Sequence, residues 1–122
     1  MKMKKITKVE IITRENKFFE LKHALNNIGV QGMTVTKVSG CGVQKGLKKN
    51  YRGVSYTPEV LPKIKIETVI SEVPVEQVVA VTKEICQTGE VGDGKIFISD
   101  ISNVIRIRNG DEGVIALNNE VN

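Results

Sequence analysis

Three stretches of the sequence carry residues that could bind an anionic ligand. The first, TGEVGDGKIF at 88–97, surrounds Asp93 with glycines and places Lys95 directly after them. Glycines let a backbone approach a ligand closely, and their N–H groups can form an anion-binding nest. The GxxxxGKS/T spacing of a Walker motif is absent. The residues alone therefore favour a phosphate site and a simple turn before a strand about equally.

The second stretch is VIRIR, which places Arg106 and Arg108 two residues apart. On a strand this spacing puts both guanidinium groups on one face. Two such groups side by side suit a polyphosphate. The alternative is a solvated strand end, which the residues alone slightly favour.

The third stretch, CGVQKGLKKNYRGVSY at 41–56, is rich in glycine and in cationic residues. Gln44 and Lys45 lie between two glycines, and Lys63 follows shortly after the stretch. Lysines and an amide near flexible glycines could bind a small dicarboxylate or a phosphate. A charged loop that merely stays solvated is the commoner case, so the residues alone leave both possibilities open.

Catalytic and structural-metal sites are poorly represented. The chain has one histidine, His23, no GxSxG motif and no convincing pair of carboxylates, so nucleophilic catalysis is disfavoured. Its two cysteines, Cys41 and Cys86, are far apart and suit neither a zinc site nor a disulfide in a reducing compartment. We expect both to be small buried apolar residues. A binding module is therefore favoured over an enzyme.

The hydrophobic pattern predicts the elements that must position these stretches. Runs rich in β-branched residues predict strands, and apolar residues at helical spacing predict two helices. Their order is βαβ–βαβ, which matches a ferredoxin-like α+β fold with an antiparallel sheet. The predicted strands cover 8–14, 32–40, 62–71 and 95–108, the last either continuous or broken near Asp100, and the predicted helices cover 15–29 and 74–89.

The connection between the second and third strands is unusually long. Residues 41–60 show no sustained apolar period. A structureless connection of about 20 residues inside a compact domain is normally functional or disordered. The pattern thus singles out the same stretch that carries Gln44 and Lys45.

Length and composition describe one small domain. The chain has 122 residues, of which 40% are hydrophobic and 26% charged, as is ordinary for a globular protein. No apolar run reaches the roughly 18–20 residues that span a bilayer, and no signal-peptide stretch follows the basic start MKMKKITK. We therefore expect a cytoplasmic protein. The net charge of +4 suits nucleic acid, an anionic small molecule or a membrane-associated partner.

Taken together, the segments GMTVTKVSGCGVQKG, YRGVSY, LPKIKIE, TGEVGDGKIF and VIRIR resemble the PII nitrogen-regulatory signal-transduction family in order and spacing. The resemblance implies a single domain over 1–122, with a core at 8–110 and a C-terminal tail at 111–122. A long loop between the second and third strands, called the T-loop, would cover 42–60. The resemblance also implies a homotrimer of ferredoxin-like subunits, in which each cleft between neighbours binds ATP or ADP.

The resemblance assigns residues to the nucleotide cleft by position. VSGCGVQ would supply one wall, and Thr34 and Val69 would lie near the base of the cleft. GDGK would surround the phosphates, which Arg106 and Arg108 would reach from the adjacent subunit. The implied ATP- or ADP-binding residues are Thr34, Gly40, Cys41, Gly42, Val43, Gln44, Val69, Gly92, Asp93, Gly94, Lys95, Arg106 and Arg108.

A 2-oxoglutarate site that depends on magnesium is also implied by the resemblance. In the family, magnesium bridges 2-oxoglutarate to the ATP phosphates. Gln44 matches the residue whose side-chain oxygen joins that metal shell, and Lys63 matches the lysine that pairs with the distal carboxylate. Backbone groups of Gly42, Lys45 and Gly46 would complete the pocket. The assignment is chemically consistent, because magnesium takes oxygen ligands.

Two positions depart from the pattern of the family. Val43 stands where a basic residue is common, which could weaken ATP binding or alter the discrimination between ATP and ADP. Val54 stands in YRGVSY where some members carry a phosphorylated serine, and valine has no hydroxyl to phosphorylate. Tyr56 matches a tyrosine that is uridylylated in some members and is a candidate modification site.

The resulting prediction is a non-enzymatic sensor of nitrogen, carbon and energy status. It would regulate an ammonium transporter through the T-loop, with Arg52 as the contact that enters the pore, and would associate with the membrane peripherally when bound there. Other nitrogen-metabolism regulators or enzymes are further candidate partners. The alternative from a different class is an RNA-binding ferredoxin-like domain. It is disfavoured because Phe97 is the one aromatic residue on a predicted strand, so nucleic acid is not an expected partner.

Overall fold

Four antiparallel strands and two α-helices form the fold of the residues that the structure describes. The computed structural model describes residues 5–45 and 56–117, with the backbone alone at 42–45 and 56–59. The strand order in the sheet is β2-β3-β1-β4, and every pair of neighbours is antiparallel. This confirms the predicted ferredoxin-like α+β architecture. The elements are β1 (Thr7–Arg14), α1 (Phe18–Asn27), β2 (Thr34–Lys45), β3 (Tyr56–Ile70), α2 (Val75–Cys86) and β4 (Gly94–Asp100), with short 3₁₀ helices at Glu15–Lys17 and Gly113–Leu117.

The helices cover one face of the sheet, and the core lies between them. Alternate residues of β1 are buried from Thr7 to Thr13, as expected for a strand with one face against a core. Burial of one large aliphatic side chain contributes roughly 1.5–3 kcal/mol, so this layer holds the sheet and the helices together. The buried hydrophobic residues are Ile6, Val9, Ile11, Leu21, Leu25, Val30, Ile64, Ile66, Ile70, Val78 and Cys86.

Both helices match the predicted apolar spacing. Leu21 and Leu25 are buried on α1, and Val78, Thr82 and Cys86 on α2. The first helix is followed by Gly29, whose φ of +105° reverses the chain at low cost for glycine. The second helix begins after Pro74 and ends at Cys86, slightly earlier than predicted. Among the described residues, no helix is long and apolar enough to cross a bilayer.

The second and third strands extend well into the connection that the sequence predicts to lack structure. Backbone pairing continues from Gly42 opposite Glu59 to Lys45 opposite Tyr56. The prediction of an unstructured 41–60 was therefore wrong at both ends, and Gln44 lies on β2. An antiparallel ribbon can run beyond the helix-covered core because its ladder uses backbone groups, whatever the side-chain period. Residues 46–55 lie outside the described residues.

The fourth strand is shorter than predicted. It ends at Asp100, opposite Thr7 at the start of β1, and Ile101 makes one more bond, from its N–H to the carbonyl of Ile6 at 2.9 Å. Beyond that point β1 offers no further strand to pair with. The predicted continuation of the strand over 101–108 was wrong, whereas the alternative of a break near Asp100 is confirmed. Ile105 forms only an isolated bridge to Glu112.

The two cysteines differ in exposure. Cys86 is buried, as predicted, whereas Cys41 is exposed on β2, so its predicted burial was wrong. Cys41 lies on the part of β2 that runs beyond the core. Both thiols are free, and burial raises the pKa of the Cys86 thiol.

Candidate functional site

The segment 88–94, called here the Gly-rich segment, is folded around the carboxylate of Asp93. Oδ2 of Asp93 accepts the backbone N–H groups of Thr88 at 2.7 Å and Gly89 at 2.9 Å. Oδ1 accepts the hydroxyl of Thr88 at 2.5 Å and a guanidinium N–H of Arg14. The Thr88 hydroxyl and then Arg14 hold the pKa of Asp93 well below its usual range. The backbone amides at 88–89, which could have bound an anionic ligand, are therefore occupied by the carboxylate of Asp93.

Two glycines of this segment allow it to lie directly against β1. Gly94 has a φ of +111°, and a Cβ there would lie 1.9 Å from the carbonyl oxygen of Ile12. Gly92 has a φ of +106°, and a Cβ there would lie 3.0 Å from Nη2 of Arg14. L-residues with side chains rarely adopt such φ values. The close approach to β1 therefore requires glycine at both positions.

Lys63 joins the predicted wall on β2 to the Gly-rich segment. Its side chain passes over Gly40, where a Cβ would lie 3.0 Å from the Lys63 Cγ. Its ammonium group donates a hydrogen bond of 2.5 Å to the carbonyl of Gly92. Lys63 is only 9% exposed. Three residues predicted to bind ligands, Gly40, Lys63 and Gly92, thus lie side by side although they come from three separate parts of the chain.

Arg14, at the end of β1, is a site residue that sequence reasoning missed. It lies directly opposite Lys63 in the β1–β3 register. It donates to the carboxylate of Asp93 and, at 2.9 Å, to the carbonyl of Val91. No sequence spacing connects an arginine at position 14 with residues almost 80 positions away. The sequence indicated only that Arg14 is a cationic residue at the end of a predicted strand.

Thr34 and Val69 lie on the same face of the sheet as Lys63, toward its other end. Thr34 is opposite Glu67 in the β2–β3 register, and Val69 lies two residues further along β3. The six residue-to-residue steps from Lys63 to Val69 span about 20 Å at the usual strand rise. This strip runs along the face that the helices leave open. Lys95 is the second residue of β4, at the end nearest the Gly-rich segment, and lies opposite Ile12.

The open face of the sheet carries a charge network. Lys8 donates to Glu67 at 2.9 Å, and the ammonium group of Lys65 lies 3.9 Å from the same carboxylate. The bond from Lys8 lowers the pKa of Glu67, and the carboxylate raises the pKa of Lys8. These side chains are partly shielded from solvent. The network lies within the strip between Lys63 and Val69.

Arg106 and Arg108 lie in the turn after β4 and not on a strand. Arg106 donates to the carboxylate of Asp111 at 2.9 Å and to the carbonyl of Ile115 at 2.9 Å. Its side chain is 8% exposed, whereas Arg108 is exposed. The predicted alignment of both guanidinium groups on one strand face was wrong because β4 ends before them. Their predicted contact with phosphates from the adjacent subunit stays a prediction.

Several predicted residues are described by their backbone alone or lie outside the described residues. For Gly42, Val43, Gln44 and Lys45 it gives the backbone on β2, and for Tyr56 the backbone at the start of β3. Gly46, Arg52 and Val54 lie outside the described residues. Over residues 5–45 and 56–117, no group of three His, Cys, Asp or Glu residues could hold a metal ion. The magnesium ligand role of Gln44 stays a prediction.

The family is decided by a comparison with protein-family models. The model described as nitrogen regulatory protein P-II matches residues 6–111. The chain belongs to the P-II family. P-II proteins are regulatory signal transducers and not enzymes, and this nitrogen regulatory protein shares that class.

Individual relatives cover almost the whole chain. A nitrogen regulatory PII-like protein of Bacillus subtilis is 50% identical over 90% of this chain and 95% of its own length. The nitrogen regulatory protein P-II of Synechocystis is 50% identical over 90% of this chain and 98% of its own length. Among solved structures, the B. subtilis GlnK–ATP complex has a TM-score of 0.82 and 49% identity, and covers 93% of this chain and 98% of that chain. The resemblance inferred from the sequence is therefore confirmed.

Proposed function

We propose that this P-II protein binds ATP or ADP, and 2-oxoglutarate together with Mg-ATP, in clefts between the subunits of a homotrimer. The observation that carries the proposal is the contact between Lys63 and the Gly92 carbonyl beside Gly40. It joins the wall on β2, the lysine assigned to the dicarboxylate and the segment assigned to the phosphates. Similarity to a GlnK that was solved as an ATP complex supports the nucleotide.

The residues fit a nucleotide with its phosphates at the Gly-rich segment. Gly92 and Gly94 present backbone without side chains, and Lys63 brings a cation to that segment. Lys95 follows Gly94 directly and would add a second cation. Because the amides of 88–89 already bind Asp93, the phosphate contacts fall to the later residues of the segment. The base would then lie along the open face toward Thr34 and Val69.

For 2-oxoglutarate, Lys63 would give up the Gly92 carbonyl and pair with the distal carboxylate. The side-chain oxygen of Gln44 would help to hold the magnesium ion, which would supply positive charge for the phosphates and for 2-oxoglutarate. Backbone groups of Gly42, Lys45 and Gly46 would complete the pocket. Gln44 and Lys45 lie at the end of the β2–β3 ribbon, so a ligand there would contact the base of the T-loop.

The output would be regulation of a partner by the T-loop. Residues 46–55 join the ends of β2 and β3, so a ligand at those ends would change how this arm is presented. An ammonium transporter is the first candidate partner, with Arg52 as the pore contact. Other nitrogen-metabolism proteins are further candidates. The protein would be cytoplasmic and bind the membrane peripherally through the transporter, and Tyr56 would be a candidate for uridylylation.

Calorimetry on three proteins tests the ligand assignment. The wild type should bind ADP, and it should bind 2-oxoglutarate only when Mg-ATP is present. Lys63→Met should abolish the heat of 2-oxoglutarate binding and change ADP affinity far less. Lys37→Met is the matched control, since it removes the same charge from an exposed lysine that lies opposite Ile64 and therefore on the other face of the sheet. Unchanged 2-oxoglutarate affinity in Lys63→Met would show that the site is wrongly assigned.

The partner assignment needs a separate experiment. Membrane vesicles that contain an ammonium transporter should retain the wild-type protein with ADP and release it with Mg-ATP and 2-oxoglutarate. Deletion of residues 46–55 and the substitution Arg52→Ala should both reduce retention. If a transporter retained the deletion variant fully, regulation through the T-loop would be excluded.

A further inference from the structure

Arg14 and Lys63 form a pair of like charges across neighbouring strands. They are direct register partners in the β1–β3 ladder, an arrangement that destabilises a sheet unless the charges are compensated. The compensation comes from three consecutive residues of the Gly-rich segment. Arg14 donates to the Val91 carbonyl and the Asp93 carboxylate, and Lys63 donates to the Gly92 carbonyl.

The contacts of Arg14 use the shape of the guanidinium group. Nη1 binds the carboxylate of Asp93, while Nη2 binds the carbonyl of Val91 at 2.9 Å. A planar fork can hold two acceptors on two residues at once, which the single ammonium group of lysine does less well. The fit is tight, since Gly92 lies so close to Nη2 that a Cβ would approach it to 3.0 Å.

Asp93 connects Arg14 to the rest of the Gly-rich segment. Its carboxylate binds both backbone amides and the hydroxyl at 88–89, and its own carbonyl accepts the hydroxyl of buried Thr13 at 2.8 Å. The segment is therefore closed upon itself and attached to β1 through Arg14 and Thr13. If the Arg14 bond were lost, the closed turn would keep only the Thr13 bond to β1 among these side-chain contacts.

We propose that Arg14 is a positioning residue for nucleotide binding, which fixes the Gly-rich segment in its ligand-accepting shape through Asp93 and Val91 and does not itself contact the nucleotide. The inference rests on the proposed nucleotide function. It assigns to Asp93 the role of an internal anion. It also explains how a carboxylate can be tolerated beside phosphates: its charge is already paired with the Arg14 guanidinium and bound by the amides of 88–89.

The charges around Asp93 determine how pH enters the test. Arg14 faces it from β1, and Lys63 reaches the adjacent Gly92 from β3. Asp93 also lines a groove together with Lys83 and Cys86 of α2 and Lys95 of β4. Asp93 is the one carboxyl in this set. Removal of Arg14 takes away one cause of the lowered pKa of Asp93. The Asp93 carboxylate of such a variant would therefore be protonated, and the turn would open, at a higher pH than in the wild type.

The test uses the full-length protein and two readouts. Arg14→Met should weaken ADP binding in calorimetry about tenfold, and Arg14→Lys should retain an intermediate affinity. The loss of affinity on acidification should begin at higher pH in Arg14→Met than in the wild type. In the ligand-free protein, hydrogen exchange at the amides of Thr88 and Gly89 should become faster in Arg14→Met. Lys5→Met, which removes the same charge beyond the other end of β1, should change none of these.

A double-mutant cycle separates positioning from direct contact. If Arg14 acts through Asp93, Arg14→Met combined with Asp93→Asn should bind ADP about as weakly as the poorer single variant. Losses that add up would indicate a direct contact with the nucleotide and overturn the proposal. So would wild-type ADP affinity and wild-type exchange in Arg14→Met. If the wild type bound no ADP, the proposed function would fail. Even then, unchanged hydrogen exchange at 88–89 in Arg14→Met would refute the positioning of the Gly-rich segment by Arg14.

Discussion

Gly94→Ala is the substitution for which the structure predicts the largest local consequence. The new Cβ would lie 1.9 Å from the carbonyl oxygen of Ile12 and 2.9 Å from the Cα of Thr13. Both atoms belong to the backbone of β1, so no side-chain rotation can relieve the contact. The start of β4, where Gly94 pairs with Thr13, must move away from β1 or the residue must change its φ of +111°.

The magnitude has two parts. An alanine at positive φ costs roughly 1–2 kcal/mol. A backbone shift in a well-packed region adds typically 1–3 kcal/mol. The free energy of unfolding should therefore fall by about 2–5 kcal/mol, a large share of the 5–15 kcal/mol of an ordinary domain. Nucleotide binding should be lost as a consequence of this displacement.

The assay is urea unfolding followed by circular dichroism, with all proteins at equal protomer concentration because assembly contributes to apparent stability. Gly89→Ala is the matched control, since Gly89 also has positive φ, +89°, but a Cβ there would meet nothing within 4 Å. It should lose only the roughly 1–2 kcal/mol of backbone strain. If Gly94→Ala were no less stable than Gly89→Ala, the argument from close approach to β1 would be refuted.

Three further predictions follow from individual contacts. Glu67 has a lowered pKa in the folded protein. Its contribution to stability is therefore complete above its pKa in the unfolded chain, near 4.3, and is lost as the pH falls through its pKa in the folded protein. In a plot of the urea midpoint against pH, Glu67→Gln should reduce the fall of the midpoint at acid pH. Iodoacetamide should modify exposed Cys41 and spare buried Cys86 in the native protein, and ADP should slow the reaction of Cys41, as mass spectrometry of the peptides would show; modification of Cys86 at the same rate would contradict the fold. Thr13→Val leaves the Asp93 carbonyl without its 2.8 Å hydroxyl donor and should cost about 1 kcal/mol in urea unfolding, while an unchanged midpoint would mean that this bond contributes nothing.

The elements of the fold could be predicted because their signals are local. Helical spacing at Leu21 and Leu25 and alternation along β1 and β3 follow directly from which face is buried. The ends of the strands were less predictable. β4 stops where β1 has no more residues to pair, and β2 continues past the core through its backbone pairing with β3. Neither cause leaves a hydrophobic period in the sequence.

Some residues of the candidate site could likewise be identified from the sequence, and others could not. Lys63 and the Gly-rich segment were identified because a resemblance to a known family attached roles to them. Arg14 was missed because its importance lies in contacts with Val91 and Asp93, 77 and 79 residues away. Asp93 was placed near the phosphates, yet its carboxylate is bound by its own chain. Such long-range pairings depend on the register of the sheet, which composition and spacing do not determine.

The central claim is a nucleotide cleft coupled to a 2-oxoglutarate pocket through Lys63 and the Gly-rich segment. Its most direct test is a calorimetric titration of the wild-type protein with 2-oxoglutarate, first with Mg-ATP present and then with ADP in its place. Heat of 2-oxoglutarate binding is expected with Mg-ATP and none with ADP. The absence of ATP and ADP binding at millimolar ligand, or 2-oxoglutarate binding that is equal in both titrations, would contradict it.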